Sequence, residues 1–277
     1  MSTTTRPQLL QGRRILVVGG GGGGVGHAIS VATAGAGADV AIVDISLEAS
    51  ESTAKEVLDA GASRAVALAG DVTIDADVER FVAEAHAALG GFDGVVTSLG
   101  GLMAFNIPFV RLHEFGDDDW DRVFDLNITY VFRVLRRVLP VMLEQGTGGS
   151  VVTIGSDGGT AGHGSPRTAA YGAAKAGLAH LTKTLAVEYG PDGIRANMIS
   201  PGPTATSNVA GMNPETRAAI DSLIPLGHPG RPEDIANGVV YLLSDMAAHT
   251  SGQVIGVDGG LSVQRPAPSF SKIYDAK

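Results

Sequence analysis

No cysteine occurs among the 277 residues. Disulfides, thiolate metal sites, a cysteine nucleophile and cysteine-based redox switching are therefore excluded, and a reducing compartment suits such a chain. Basic runs are missing too. Lys and Arg number 20 against 29 Asp and Glu, for a formal charge of −9, so neither nucleic acid nor an anionic membrane is expected as a partner. Long apolar runs are also absent. Ile15 to Val18 falls far short of the ~20 residues that cross a bilayer, and the polar stretch Met1 to Gly12 lacks the apolar centre of a secretion signal. A cytoplasmic protein without a membrane segment is expected. Aromatics are scarce at 5%, yet hydrophobic residues reach 44% and charged residues only 18%, which is a globular composition rather than a disordered one.

What the chain has in excess is glycine, 39 residues with no collagen-like period. Length alone allows about two domains, but α/β folds of 200–250 residues are commonly one. No shift in composition or internal repeat divides the chain. We expect a single domain over 1–277, with its core at about 13–263 and tails at 1–11 and 265–277.

Short apolar runs alternate with helical patterns. Strands are expected at Arg14–Val18, Asp39–Val43, Ala65–Leu68, Gly94–Thr97, Ser150–Ile154, Arg195–Ile199 and Gln253–Val257. Helices are expected at Val25–Ala36, Leu47–Ala60, Asp75–Leu89, Asp117–Leu143 and Ala169–Tyr189. Continuously apolar, β-branched strands are buried on both faces, as in parallel sheets. Alternation with helices gives a doubly wound α/β fold with about seven strands and helices on both faces.

Six consecutive glycines, Gly19 to Gly24, follow the first strand and open the first helix. Such a loop lets backbone approach a pyrophosphate whose charge sits at the helix N-terminus. The six-glycine run satisfies G-x-G-x-x-G in several registers, so context carries the signal: Asp44 ends the second strand 20 residues after Gly24, where an acid meets a ribose 2′-hydroxyl. A flexible linker is the bland alternative, and a P-loop is rejected because no Gly-Lys-Ser/Thr follows. A 2′-phosphate would face the Asp44 carboxylate, with Gly23 and Ile45 offering no positive charge, so NAD is favoured over NADP. Asp44 could instead merely cap the next helix.

Tyr171 and Lys175 share a helical face at i, i+4 spacing. A phenol ionises near ~10, and a nearby ammonium favours the phenolate, which would make Tyr171 a general base near neutral pH. Such a pair is often a surface coincidence. Ser156 adds weight, because it ends the preceding strand 15 residues earlier, at the carboxyl edge where parallel sheets bind ligands; the following Asp157-Gly-Gly159 could equally make it a turn residue.

With these residues the chain resembles the short-chain dehydrogenase/reductases over about Arg13 to Val263. The glycine loop matches at Gly20, Gly24 and Gly26, and Asp71-Val72 resembles the adenine contact. Asn127, in Trp120-Asp-Arg-Val-Phe-Asp-Leu-Asn127, matches the family's structural and catalytic Asn; Ser156 matches the catalytic Ser, and Tyr171 with Lys175 the catalytic pair. Ile194-Arg-Ala-Asn197 followed by Pro201-Gly202 resembles the segment under the nicotinamide. Pro225 to Ala236, Leu242-Leu-Ser-Asp245 and Gly252 to Gly260 match the carboxyl-terminal signature.

The resemblance implies an NAD-dependent oxidoreductase exchanging a hydride between a secondary alcohol and the nicotinamide. Asn127, Ser156, Tyr171 and Lys175 would be catalytic. Cofactor contacts are implied at Gly20, Gly23, Gly24, Val25, Gly26, Asp44, Ile45, Asp71, Val72, Leu99, Gly100, Tyr171, Lys175, Pro201, Gly202, Thr204 and Thr206. In this scheme Tyr171 exchanges the hydroxyl proton, Ser156 binds the substrate oxygen, Lys175 lowers the Tyr171 pKa and holds the ribose, and Asn127 positions a relay water. A homo-oligomer, tetramer or dimer, is implied, with Asp117–Leu143, Ala169–Tyr189 and the last strand as candidate interfaces.

Four departures stand out. Gly19 replaces the family's Thr, and Thr97-Ser98-Leu99-Gly100 replaces its Asn-Asn-Ala-Gly. The stretch Gly100 to Trp120 and the interval Ser156 to Tyr171 are both longer than usual. Bland readings stay open: Asn127 could satisfy a nearby carbonyl, and Asp71 could be a helix cap. The seven histidines show no metal-ligand spacing, so no metal is expected; His163 alone lies beside the expected pocket. Leu102 to Phe105, Gly162 to Ser165 and a lid from Thr206 to Leu226 would line that pocket. Lid residues Val209, Met212, Ile220, Leu223 and Ile224 suit an alicyclic or aromatic substrate, or simply pack the lid. Arg111, Arg167 and Arg217 could meet a carboxylate, although surface charge is the default. A catalytically weak NAD-binding sensor is the competing reading, and a lyase or epimerase using NAD transiently is a third.

Overall fold

Central strands rich in apolar residues need cover on both faces. In the computed structural model, which describes residues 8–102, 106–160, 166–206 and 212–264, they obtain it. Seven strands, β1 (Arg14–Val18), β2 (Asp39–Asp44), β3 (Ala65–Ala69), β4 (Gly94–Thr97), β5 (Gly149–Ile154), β6 (Ile194–Pro201) and β7 (Val254–Val257), form one sheet in the order β3-β2-β1-β4-β5-β6-β7. Every pairing is parallel.

Alternate residues of each inner strand feed opposite cores. Ile15, Val17, Val40 and Ile42 pack on the side of α1 (Val25–Gly35) and α9 (Pro232–Leu243). Leu16, Val18, Ala41 and Val43 pack on the side of α3 (Asp75–Leu89), α5 (Tyr130–Gln145) and α7 (Ala169–Glu188). Each fully buried aliphatic side chain is worth roughly 1.5–3 kcal/mol, so both faces are held by the same force. The remaining helices are α2 (Leu47–Asp59), α4 (Asp117–Phe124), the single turn α6 (Asp157–Thr160) and α8 (Pro214–Leu223).

The strand order reverses between β1 and β4. Their carboxyl ends splay outgoing loops to opposite sides and leave the crevice where such sheets bind ligands. The loops after β1, β4, β5 and β6 all open onto that edge.

Three expectations change. Residues 8–11 are not a free tail: Leu10 is fully buried, and its N–H donates to the Ala36 carbonyl at 2.8 Å. The helix expected over Asp117–Leu143 is interrupted at Asp125–Thr129 by a π-turn, in which the Tyr130 N–H donates to the Asp125 carbonyl. Its cause is local. The Asn127 Nδ2 donates to the Val123 carbonyl at 2.9 Å, and a side chain inserted into the helical ladder widens it. Finally, α8 and α9 occupy segments read only as lid and signature. Each begins at a proline (Pro214, Pro232), whose fixed φ and missing N–H suit a first helical turn. The segments 1–7, 103–105, 161–165, 207–211 and 265–277 lie outside the described residues, and with them His163, Val209, most of the Leu102 to Phe105 wall and the carboxyl-terminal tail.

Candidate active site

The glycine loop turns out of β1 into α1. Gly26 backs directly onto the Gly19 carbonyl, leaving no room for a Cβ; this close approach lets helix and strand pack. Outward, the loop is open: a Cβ on Gly23 would meet nothing within 4 Å, and one on Gly24 would meet only Thr206 Cγ2, at 4.0 Å. The helix begins at Val25 with neither a side-chain cap nor an acidic residue in its first turn. Its positive end therefore remains available to an anion. Gly20 lies inside this turn, against Ser30 and β2.

Asp44 ends β2 beside the loop, where a Cβ on Gly21 would come within 3.1 Å of its carboxyl carbon. It does not cap α2; that role belongs to Ser46, whose hydroxyl accepts the Ala49 N–H at 3.2 Å. Ile45 stands exposed next to it, with 73% of its surface free. The hollow on this side of the loop is lined by Gly22, Gly23, His27, Ser46, Glu48, Ala49, Ser52, Thr53 and Glu56. Its single cationic candidate, His27, is already hydrogen-bonded to Glu56 at 3.1 Å. Further along, Asp71 holds its own turn, one oxygen accepting from both the N–H and the hydroxyl of Thr73, while Val72 is buried.

After β4 the chain runs through Ser98, Leu99 and Gly100 toward Asn127 and Lys175. Gly100 has φ +138°, and a Cβ there would lie 2.6 Å from Asn127 Oδ1 and 2.7 Å from Lys175 Nζ. This glycine is what allows the two side chains to converge. Asn127 holds the neighbouring Gly101 peptide at both ends: Oδ1 accepts its N–H at 2.9 Å and Nδ2 donates to its carbonyl at 3.3 Å. Asn127 therefore satisfies nearby carbonyls, those of Val123 and Gly101, and stands beside Lys175 across Gly100.

Lys175 is 2% exposed and donates to the Ile154 carbonyl at 3.1 Å. Burial alone pushes its ammonium down to about 7. Its Nζ stands 5.9 Å from the centroid of the Tyr171 ring. Ser156 follows β5, its hydroxyl donating to Asp157 Oδ1 at 3.1 Å and accepting the Gly158 N–H at 3.1 Å. It is thus a turn residue that also faces Tyr171, where its hydrogen bond favours the phenolate.

Three influences act on the Tyr171 phenol in this structure: its own burial, Ser156 and Asp157. Burial raises that pKa, Ser156 opposes the rise, and the Asp157 charge adds to it. On balance the buried phenol favours its neutral form, the one that can give up a proton.

The third wall follows β6. Gly202 fits tightly against Asp258, its N–H donating to the Val257 carbonyl at 3.2 Å. Pro201 ends the strand, and Thr204 Oγ1 donates to the Gly202 carbonyl at 3.0 Å. Thr206 closes the ring back at Gly24. On the substrate side, Tyr171 packs with Leu102, Ile107, Phe115, Trp120, Val123 and Ala170. The sequence assigns Leu102 to the pocket wall and Trp120 and Val123 to a helix, but Ile107 and Phe115 lie in the lengthened stretch to which it assigns no element, so the group as a whole is not legible there.

The residues fit a nicotinamide dinucleotide. An open glycine cradle, an uncapped helix end and the Asp44 carboxylate lie along the edge that leads to the Asn127–Lys175–Tyr171–Ser156 group. Between them, Ser98 Oγ is buried without a hydrogen-bond partner among the described residues, a donor or acceptor such interiors rarely leave unused. Among the described residues no cluster of three acidic or histidine side chains is placed to hold a metal, and no helix is long and apolar enough to cross a membrane.

Comparison with known proteins agrees with this geometry. Residues 21–262 match the family model described as enoyl-(acyl carrier protein) reductase. The chain is 35% identical over 255 residues to 2-(S)-hydroxypropyl-CoM dehydrogenase 3 of Xanthobacter autotrophicus, covering 90% of this chain and 96% of that one. Among solved structures, a short-chain type dehydrogenase/reductase from Mycobacterium marinum superposes with a TM-score of 0.84 at 30% identity, over 93% of this chain and 98% of the other. A 7α-hydroxysteroid dehydrogenase complexed with NADH and 7-oxo glycochenodeoxycholic acid gives 0.83 at 29% identity, over 94% and 98%.

Proposed function

We propose, for a chain that belongs to the short-chain dehydrogenase/reductase family, that it is an NAD-dependent oxidoreductase interconverting a secondary alcohol, alicyclic or aromatic, with its ketone. The observation that carries the reading is the convergence of Asn127 and Lys175 on Gly100, with Tyr171 and Ser156 on the adjoining side. When bound, the nicotinamide would supply hydride acceptance or donation; the protein's own residues handle the proton and the substrate oxygen. Tyr171, held protonated, gives its proton to a ketone oxygen in reduction and takes one back in oxidation. Ser156 hydrogen-bonds that same oxygen. Lys175 and Asn127 hold the ribose side of the cofactor and pass protons between Tyr171 and solvent.

The dinucleotide would lie from Gly20, Gly23, Gly24, Val25 and Gly26 past Asp44, Ile45, Asp71 and Val72 to Leu99, Gly100 and the Pro201, Gly202, Thr204, Thr206 segment. NAD is preferred because the Asp44 carboxylate would face a 2′-phosphate; of the cations near this end of the crevice, His27 is engaged by Glu56 and Arg133 by Asp125, while Arg122 lines the hollow beside Ile45 and Asp71. Support for the substrate class comes from the apolar group around Tyr171 and from the structural relative named for a hydroxysteroid.

A homo-oligomer, dimer or tetramer, is part of the proposal. Helices α5 and α7 carry a groove of about 330 Å³ lined by Phe132, Leu135, Leu139, Leu181 and Leu185, with Phe132 half exposed. Light scattering at working concentration tests it; a monomer would refute it.

The functional test is a titration with NADH and NADPH followed by turnover of a panel of secondary alcohols, read as NADH absorbance. Tighter NADH binding with turnover of a cyclic alcohol is expected. Preference for NADPH would overturn the cofactor assignment, and tight NADH binding without any turnover would favour the sensor.

A further inference from the structure

Tyr130 is fully buried, and its hydroxyl is not spent on packing. Oη accepts the Leu99 N–H at 3.1 Å and donates to the Leu99 carbonyl at 2.9 Å. Three residues earlier on the same helical edge, Asn127 makes the matching pair of bonds to Gly101. The two side chains thus grip the peptides on either side of Gly100, the residue wedged against Asn127 Oδ1 and Lys175 Nζ.

The loop has little else to fix it. Ser98 N–H donates to the Val18 carbonyl at 2.9 Å, but the Ser98 hydroxyl is unpartnered among the described residues. Where the family carries two asparagines, this chain has Thr97 and Ser98, with shorter side chains. Leu99 also leans over the start of the glycine loop: a Cβ on Gly19 would lie 2.6 Å from Leu99 Cγ. Any slack at Leu99 is therefore felt at both the nicotinamide and the pyrophosphate ends of the crevice.

We propose that Tyr130 is a positioning residue for cofactor binding, its hydroxyl locking the Leu99 peptide so that Gly100 and the glycine loop keep the shape the dinucleotide requires. Burial pushes the Tyr130 phenol far above its ordinary range, so it remains a neutral donor–acceptor at every working pH. The proposal rests on the reading of this crevice as a nicotinamide dinucleotide site.

Tyr130→Phe tests it, because the ring and its packing stay while the two hydrogen bonds go. Removing one partner from buried polar groups leaves them unsatisfied. The expected result is a NADH dissociation constant raised about tenfold and a KM for NAD raised alongside it, with kcat falling less than about threefold. The Leu99 amide should also exchange its hydrogen at least about tenfold faster. A lowered melting temperature with NADH affinity within about twofold of the unaltered protein would overturn the proposal, leaving Tyr130 a packing residue. Failure of the unaltered protein to bind NADH would instead refute the function itself. Should Tyr130→Phe fold too poorly to titrate, the Leu99 amide of the unaltered protein decides. Protection matching that of the β4 amides is expected, and exchange at the rate of an open loop would refute the clamp.

Discussion

The Lys175 nitrogen stands 5.9 Å from the centroid of the Tyr171 ring and donates a hydrogen bond to the Ile154 carbonyl. Among the described residues no carboxylate accompanies it, and burial lowers its pKa to about 7. A cation held this way opposes folding.

That opposition has a definite pH dependence. The unfolded lysine keeps its proton up to its ordinary value of 10.5, while the folded one loses it near 7. Between those values the unfolded state binds more protons, so stability rises with pH. Lys175→Met should therefore be more stable than the natural protein at and below pH 7, by a few kcal/mol at about 1.36 kcal/mol per unit of pKa difference. The gap should narrow steadily from pH 7 toward pH 10. Denaturant unfolding across that range reads it; equal stability at pH 7 would show that the ammonium is solvated.

Gly100→Ala is the sharpest backbone test. Its methyl would sit 2.6 Å from Asn127 Oδ1 and 2.7 Å from Lys175 Nζ, at φ +138°. We expect a stability loss of about 1–3 kcal/mol from the strained conformation and at least a tenfold fall in kcat/KM, roughly 1.4 kcal/mol or more. Calorimetry with steady-state kinetics measures both. Unchanged kinetics would mean that Asn127 and Lys175 move aside freely.

Asp44 should govern cofactor choice. Asp44→Asn removes the charge that faces a 2′-phosphate and should narrow the NADH-over-NADPH preference by about tenfold, or 1.4 kcal/mol. Fluorescence titration with both reduced cofactors gives the ratio. A ratio that stays constant would assign the preference elsewhere.

Much of this was legible in the sequence because the signals are local. The central strands carry short apolar, β-branched runs, and the structure places β1 and β4 at the expected residues. The glycine loop, Ser156, Tyr171 and Lys175 lie at strand ends or on one helical face, so spacing alone brings them to one edge. What escaped depended on side-chain hydrogen bonds and burial, which an apolar pattern does not register. Tyr130 reads as a core aromatic in an apolar helix, and only its contact with Leu99, 31 residues away, gives its hydroxyl a purpose. The π-turn at Asp125–Thr129 arises from a side chain competing with its own helix, which hydrophobic periodicity does not register. The raised Tyr171 phenol reflects burial and the Asp157 charge, and burial of a single side chain is not read from its spacing to a lysine.

The measurement that bears most directly on the account is the turnover of Tyr171→Phe, read together with its NADH dissociation constant. The substitution deletes the proton donor while leaving Lys175, Asn127 and the glycine loop in place. The account predicts turnover reduced at least ~10²-fold with NADH affinity within about twofold of the natural protein. Turnover close to that of the natural protein would contradict it, because the proton would then have to come from elsewhere.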